Sequence, residues 1–169
     1  RMDAYIADWQ ATGPQFAAIQ SGFLASLSQL DYVKRFVAAF RVGSPLVLVD
    51  PVMGDYGKLY RTFKPEVAEG LRGLLDVADV LTPNLTEACI LADVPYRTDM
   101  SDREVFDLAR RLCEPHARAA VVSGIPRGGD LVNFVYSREH GEDLVPVPRI
   151  GVDRSGTGDV FSTVILGEL

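Results

Sequence analysis

Residues Arg154 to Phe161 read RSGTGDVF, two glycines bracketing a threonine and followed by an acid at the mouth of an apolar helix. Such a turn exposes backbone N–H groups, and with the positive end of the helix they form an anion site that needs no basic side chains. Gly156 and Gly158, with Thr157 between them, permit close approach of a phosphate. A carboxylate beside a phosphate repels it, so Asp159 needs another task, and taking the proton from an attacking hydroxyl is one. An acid in a first helical turn can also simply complement the helix dipole, and GTGD alone fits both readings.

Two further motifs end on polar residues after apolar runs. VLVDPVMGDYGKLY, Val47 to Tyr60, leaves a buried-type strand directly for Asp50, Gly54, Asp55 and Gly57. Asp50 and Asp55 are hard oxygen ligands of the kind Mg²⁺ accepts while keeping most of its waters. Read alone, DPxxGD is also an ordinary turn sequence. DVLTPNLTEACIL, Asp79 to Leu91, ends a strand near Thr82 and opens a helix near Asn84. Asn84 and Glu87 have the spacing of a capping box, while the functional reading puts Thr82, Asn84 and Glu87 on a metal and phosphates.

These motifs need a scaffold that brings strand ends together. Apolar β-branched segments alternate with helical patterns, the rhythm of βαβ units and hence of a mainly parallel sheet flanked by helices. The predicted strands are Phe16 to Ser21, Leu46 to Val49, Asp79 to Leu81 and Ala119 to Ser123. Predicted helices run from Ser28 to Phe40, from Pro65 to Leu75, from the Ser101–Glu104 capping box to about Cys113, and from Gly156–Asp159 onward. GIPRGGD, LVNFVY and LVPVP predict a glycine-rich turn and two antiparallel edge strands near residues 131–147. In such a sheet ligands bind beyond the carboxyl ends of the strands, where the three motifs fall.

The 169 residues amount to a single α/β domain with an ordinary globular composition, 47% hydrophobic and 24% charged. A net charge of −6 argues against gripping nucleic acid through the overall field, so phosphate must be held locally. The longest apolar runs, such as Pro45 to Val49, fall far short of a membrane span. Cys89 and Cys113 lack metal-ligand spacing and read as buried reduced thiols, which suits the cytoplasm. His116, His140, Arg110 and Arg111 read as solvated surface, and Trp9 as core. A chain that opens on Arg1 in one helical pattern and closes on Leu169 in another reads as part of something longer.

Together DPVMGDYGKLY, TPNLTEACIL and SGTGDVF resemble the pyridoxal kinases of the ribokinase superfamily, over nearly the whole chain. FAAIQSGFLAS, Phe16 to Ser26, is similar to that family's segment flanking the vitamin pocket. The resemblance implies a ribokinase-like three-layer sandwich and transfer of the γ-phosphate of ATP to the 5′-hydroxymethyl group of pyridoxal. It implies Asp159 as catalytic base, also touching the substrate, and Gly156, Thr157 and Gly158 as an anion hole. Asp50, Asp55, Thr82 and Glu87 would lie around Mg²⁺, and Asn84, Ser123, Tyr60 and Thr157 would contact ATP. Phe23 matches an aromatic position near the pyridine ring. The family also implies a homodimer and leaves room for a monovalent cation. It begins with a vitamin-contacting strand and continues past the GTGD helix with segments that wall the adenine; this chain is expected to lack both. Hydroxymethylpyrimidine (phosphate) kinases share the DPV and TPN motifs but typically carry GTGC, so Asp159 favours pyridoxal. A non-catalytic nucleotide-binding domain of the same fold is the remaining alternative.

Overall fold

A computed structural model describes residues 2–151 and 156–169, so Arg154 and Ser155 of the glycine motif lie outside the described residues. In chain order the elements are α1 (Met2–Thr12), β1 (Ala18–Ser21), α2 (Leu27–Phe40), β2 (Leu46–Val49), β3 (Gly54–Asp55), β4 (Lys58–Leu59) and α3 (Pro65–Leu71). They continue with β5 (Val80–Leu81), α4 (Leu85–Ala92), α5 (Asp102–Cys113), β6 (Ala119–Arg127), β7 (Asp130–Ser137), β8 (Gly141–Pro148) and α6 (Thr157–Glu168). One sheet has the order β1-β2-β5-β6-β7-β8, parallel from β1 to β6 and antiparallel from β6 to β8. β3 and β4 form a separate hairpin.

The side-chain alternation of β1 assigns the layers. Ile19 joins the core that α2, α3, α4 and α5 build with Val47, Val49 and Leu81. Its neighbour Gln20 points to the other face, as successive strand residues do, and there it bonds Ser162 of α6. Leu48 and Val80 are in register with Gln20 and share that second face, where both are buried. Helices thus cover both faces of the sheet, which makes three layers. Burying side chains such as Leu71, Leu74 and Leu112 contributes about 1.5–3 kcal/mol each.

Local signals set the helix starts. The Ser26 hydroxyl accepts from the Gln29 amide at the head of α2, and Pro65 occupies the first turn of α3. Ser101 and Glu104 close the expected capping box on α5. The helix expected over residues 65–75 stops at Leu71 and tightens into a 3₁₀ turn, Arg72–Leu74. Gly70 and Gly73 lie here against α2, where a Cβ would stand 2.8 Å from Leu30 and 2.4 Å from the Lys34 ammonium.

Other differences also have physical reasons. β6 does not end at Ser123; it continues to Arg127 across a register shift between Val122 and Ile125, with Gly124 at φ +69°. Phe16 leaves β1 to pack its ring against Phe36, Phe40 and Trp9. Trp9 is not core: it is 43% exposed and covers this aromatic cluster from outside. His116 is exposed but not isolated, since its Nε2 lies 2.9 Å from the Arg41 guanidinium and 3.7 Å from Asp79. Asp79 itself is a buried pin rather than a strand residue, accepting the Val47 N–H at 2.8 Å. Arg110 pairs with Asp107 and Glu142 and covers the Tyr136 ring. His140 and Arg111 are exposed, and Cys89 and Cys113 are free, buried thiols. β8 is exposed along its whole length, and no helix among the described residues is long and apolar enough to cross a membrane.

Candidate active site

Because β1, β2 and β5 are parallel neighbours, their carboxyl ends deliver Ser21, Asp50 and Thr82 to one edge. The Asp50 amide donates to Ser21 O at 2.9 Å and the Thr82 amide to Val49 O at 3.2 Å. These residues are 7%, 4% and 4% exposed, yet Ser21 Oγ, Asp50 Oδ2 and Thr82 Oγ1 have no hydrogen-bond partner. Only Arg72 Nε joins them among the described residues. A buried polar atom left unpaired costs about 1–3 kcal/mol, so three at adjacent strand ends mark a place built for a ligand. Burial pushes the Asp50 carboxyl up to about 6, the nearby Ser162 hydroxyl holds it down, and the Asp159 charge raises it further.

The start of α4 forms the second wall. Asn84 Oδ1 accepts the Glu87 N–H at 3.0 Å and Glu87 Oε2 accepts the Asn84 N–H at 2.9 Å, so the capping box is real. Its members also reach across to the DPVMGD segment. Asn84 Nδ2 donates to Gly54 O at 2.8 Å, and Glu87 Oε1 accepts the Met53 N–H at 3.0 Å. Asn84 is therefore a cap and a tether. Burial lifts the Glu87 carboxyl to about 8; backbone N–H donors oppose the shift and the Asp50 charge adds to it.

The hairpin β3–β4 carries Asp55 into solvent. Its two-residue turn, Tyr56–Gly57, has φ of 50° and 76°, the type I′ geometry that favours Asn-Gly. Tyr56 is a bulky residue in the left-handed region, a strain of order 1 kcal/mol. Replacing it with Asn is expected to raise the melting temperature by about 2–4 °C, and a thermal scan that shows no rise would remove strain from this turn.

Asp50 and Asp55 thus occupy different environments, although the sequence reads them as a pair. Among the described residues, no three His, Cys, Asp or Glu side chains stand close enough to hold a metal alone. Mg²⁺ suits such a place, because it takes one or two carboxylates and completes its shell with water and phosphate. Asp50 Oδ2 and Thr82 Oγ1, buried without partners, fit that demand.

The head of α6 closes the site. Gly156 caps it at φ 85° with no side-chain acceptor. The first turn of a helix presents backbone N–H groups at its open end, here on the side of Gly158 and Asp159. A Cβ on Gly158 would stand 3.7 Å from Asp50 Oδ2, and one on Gly22 would stand 3.6 Å from Asp159 Oδ1. The glycine turn therefore lies over the ends of β1 and β2, with exposed Asp159 beside the strand that leads to Phe23. Phe23 is half exposed, its ring edge-on to Phe63 at 6.0 Å. Ser123 lies against the head of α4, its amide donating to Pro83 O at 2.9 Å. Burial raises the phenol of Tyr60, as do the charges of Glu87, Asp55 and Asp50.

The phosphomethylpyrimidine kinase family matches residues 5–169. The chain belongs to that family. A pyridoxine/pyridoxal/pyridoxamine kinase of Bordetella avium is 34% identical, the match covering 99% of this chain and 58% of the relative. A putative pyridoxal kinase of Schizosaccharomyces pombe is 29% identical over 94% of this chain and 48% of its own length. The crystal structure of a putative phosphomethylpyrimidine kinase from Bacteroides thetaiotaomicron, in a form with pyridoxal, has a TM-score of 0.93 at 35% identity. That match covers 99% of this chain and 60% of the other. The fold is thus the ribokinase-like sandwich the motifs imply, and the chain spans about half the length of the curated relatives it matches.

Three residues at these strand ends and the head of α6 escape the motif reading. Ser21 supplies an unpartnered hydroxyl. Gln20 donates to Ser162 at 2.9 Å and accepts from Thr163 at 3.2 Å, and so ties α6 to β1. Ser162, wholly buried, bonds back to Gly158 O at 3.0 Å. The one signal was polarity inside otherwise apolar elements: a glutamine in a short strand and a serine in a short helix.

Proposed function

We propose that the whole protein is an ATP-dependent kinase acting on the 5′-hydroxymethyl group of pyridoxal, with pyridoxine and pyridoxamine as related substrates. The observation that carries this reading is Asp159 at the head of α6, beside Gly22 and above the unpartnered polar atoms of Ser21, Asp50 and Thr82. A base sits there next to an anion-binding turn, as hydroxyl phosphorylation requires. Asp159 takes the hydroxyl proton while the substrate oxygen bonds to the γ-phosphorus and the bond to the β-phosphate oxygen breaks, leaving ADP. The amides of Gly156, Thr157 and Gly158 face the charge that develops on the transferred group. Asn84, Ser123, Tyr60 and Thr157 contact the nucleotide, and Phe23 offers its ring to the pyridine. Asp50 Oδ2 and Thr82 Oγ1 would hold Mg²⁺ directly, with Asp55 and Glu87 reaching it through water, and the bound ion would neutralise charge on the polyphosphate. A protein using ATP with two reduced, buried thiols belongs in the cytoplasm.

The family description favours a second reading, phosphorylation of a hydroxymethylpyrimidine or its phosphate. Asp159, in place of the cysteine typical of those enzymes, and the pyridoxal in the Bacteroides thetaiotaomicron structure favour the vitamin. The deciding experiment gives the whole protein Mg·ATP and each alcohol in turn: pyridoxal, pyridoxine, pyridoxamine, hydroxymethylpyrimidine and its phosphate. The pyridoxal reading expects the highest kcat/KM on a B6 vitamer. A pyrimidine preference would overturn it, and no turnover of any alcohol would make this a non-catalytic member of the fold.

A further inference from the structure

The Tyr56–Gly57 turn is held from two sides by residues with no part in the chemistry above. The Gly57 N–H donates to Thr86 Oγ1 at 2.8 Å, and Thr86 is buried in the first turn of α4. On the other side the Tyr96 ring lies against the backbone, so close that a Cβ on Gly57 would stand 2.5 Å from its Cδ1. Tyr96 follows α4 and is packed against the core. A turn with a tyrosine in the left-handed region persists only where its surroundings over-determine it, and these two contacts supply that constraint. The base of the same hairpin is tied through Gly54 O and the Met53 N–H to Asn84 and Glu87. One helix start therefore fixes both ends of the segment that carries Asp55.

We propose that Tyr96 and Thr86 are positioning residues for Mg·ATP: they lock the hairpin so that Asp55 keeps a set place relative to Asp50 and Glu87. The proposal rests on the kinase reading and deepens it, because it assigns nucleotide use to residues that never touch nucleotide. Misplacing a group by an ångström is enough to impair a site, so the clamp matters beyond stability.

The test uses the whole protein with Tyr96→Ala, Tyr96→Phe, Thr86→Val and Thr86→Ser, and Asp55→Asn for comparison. Hydrogen exchange of residues 54–59 reads the clamp directly, without turnover. Tyr96→Ala and Thr86→Val are expected to speed exchange there by about tenfold or more, while the interior of α4 stays protected. Their KM for Mg·ATP should rise by about tenfold, with the KM for the alcohol within about twofold of wild type. Tyr96→Phe keeps the ring and Thr86→Ser keeps the hydroxyl, so both should restore exchange and KM. Asp55→Asn should impair Mg·ATP use without loosening the hairpin. Unchanged exchange in both disruptive variants would overturn the clamp. Faster exchange with an unchanged KM for Mg·ATP, or equal rises in both KM values, would overturn the positioning role. A wild-type protein that binds no Mg·nucleotide would overturn the kinase reading and the positioning role together, while the exchange data would still report whether the clamp exists.

Discussion

Asp159→Asn in the whole protein is expected to lower kcat by on the order of 10²–10⁴-fold, the usual worth of a general base. Asparagine keeps the shape and can still bond the substrate hydroxyl, but it cannot accept a proton. Nucleotide affinity should hold or rise, because removing a negative charge beside the phosphates relieves repulsion. The structure already registers that charge, since Asp159 helps raise the Asp50 carboxyl. Folding should lose only about 0.3–1 kcal/mol, the scale of a dipole contribution from an exposed first-turn acid. Steady-state phosphorylation, nucleotide titration and thermal melting of both proteins separate the possibilities. A kcat loss below about tenfold together with a sharp drop in melting temperature would make Asp159 a structural residue.

Asp50→Asn should move activity and stability in opposite directions. Activity with Mg·ATP is expected to fall by on the order of 10²-fold or more, because the buried oxygen left for the metal becomes a neutral amide. Stability of the metal-free protein should rise at pH 8. Burial lifts the Asp50 carboxyl from its ordinary 3.8 to about 6 and that of Glu87 from 4.5 to about 8. Between these values the folded state binds more protons than the unfolded chain, so metal-free stability falls as pH rises. Asp50 contributes its loss between about pH 4 and pH 6, and Glu87 between about pH 4.5 and pH 8. The Asn variant should lack the first part and keep most of the second, which loses the share that the Asp50 charge adds to Glu87, gaining on the order of 1–3 kcal/mol at pH 8. Melts in chelator across this range, repeated with Mg²⁺ and nucleotide, give the answer. A variant that melts below wild type in chelator at pH 8 would contradict the account of Asp50 as an unpaired buried charge.

Much of this fold is visible in the chain before folding, because most of its elements carry their own signals. Pro65, Ser101 and Asn84 announce helix starts, and LVLV announces a central strand. The three motifs were likewise legible, since each follows a strand end or a glycine turn. What could not be read was environment. Asp50 and Asp55 belong to one short motif, yet one is buried among three strands and the other stands on a hairpin, a difference set by neighbours far away in the chain. Trp9 misleads for a related reason, because hydrophobic type does not say whether a helix is covered on its outer side. Gln20 and Ser162 acquire their role only from each other, across the whole length of the domain.

The exposed strand β8 bears on how copies of this molecule meet. An eight-residue strand at the end of a sheet ordinarily presents a row of free N–H and C=O groups, a template on which another chain can pair. Here Pro146 and Pro148 have no N–H to offer, and Glu142 and Asp143 place two negative charges at the start of the strand. A second copy laid against that edge would lose ladder hydrogen bonds at both prolines. Open-ended growth of the sheet is thereby disfavoured on that side, and the least covered strand among the described residues is poorly able to recruit its own likeness.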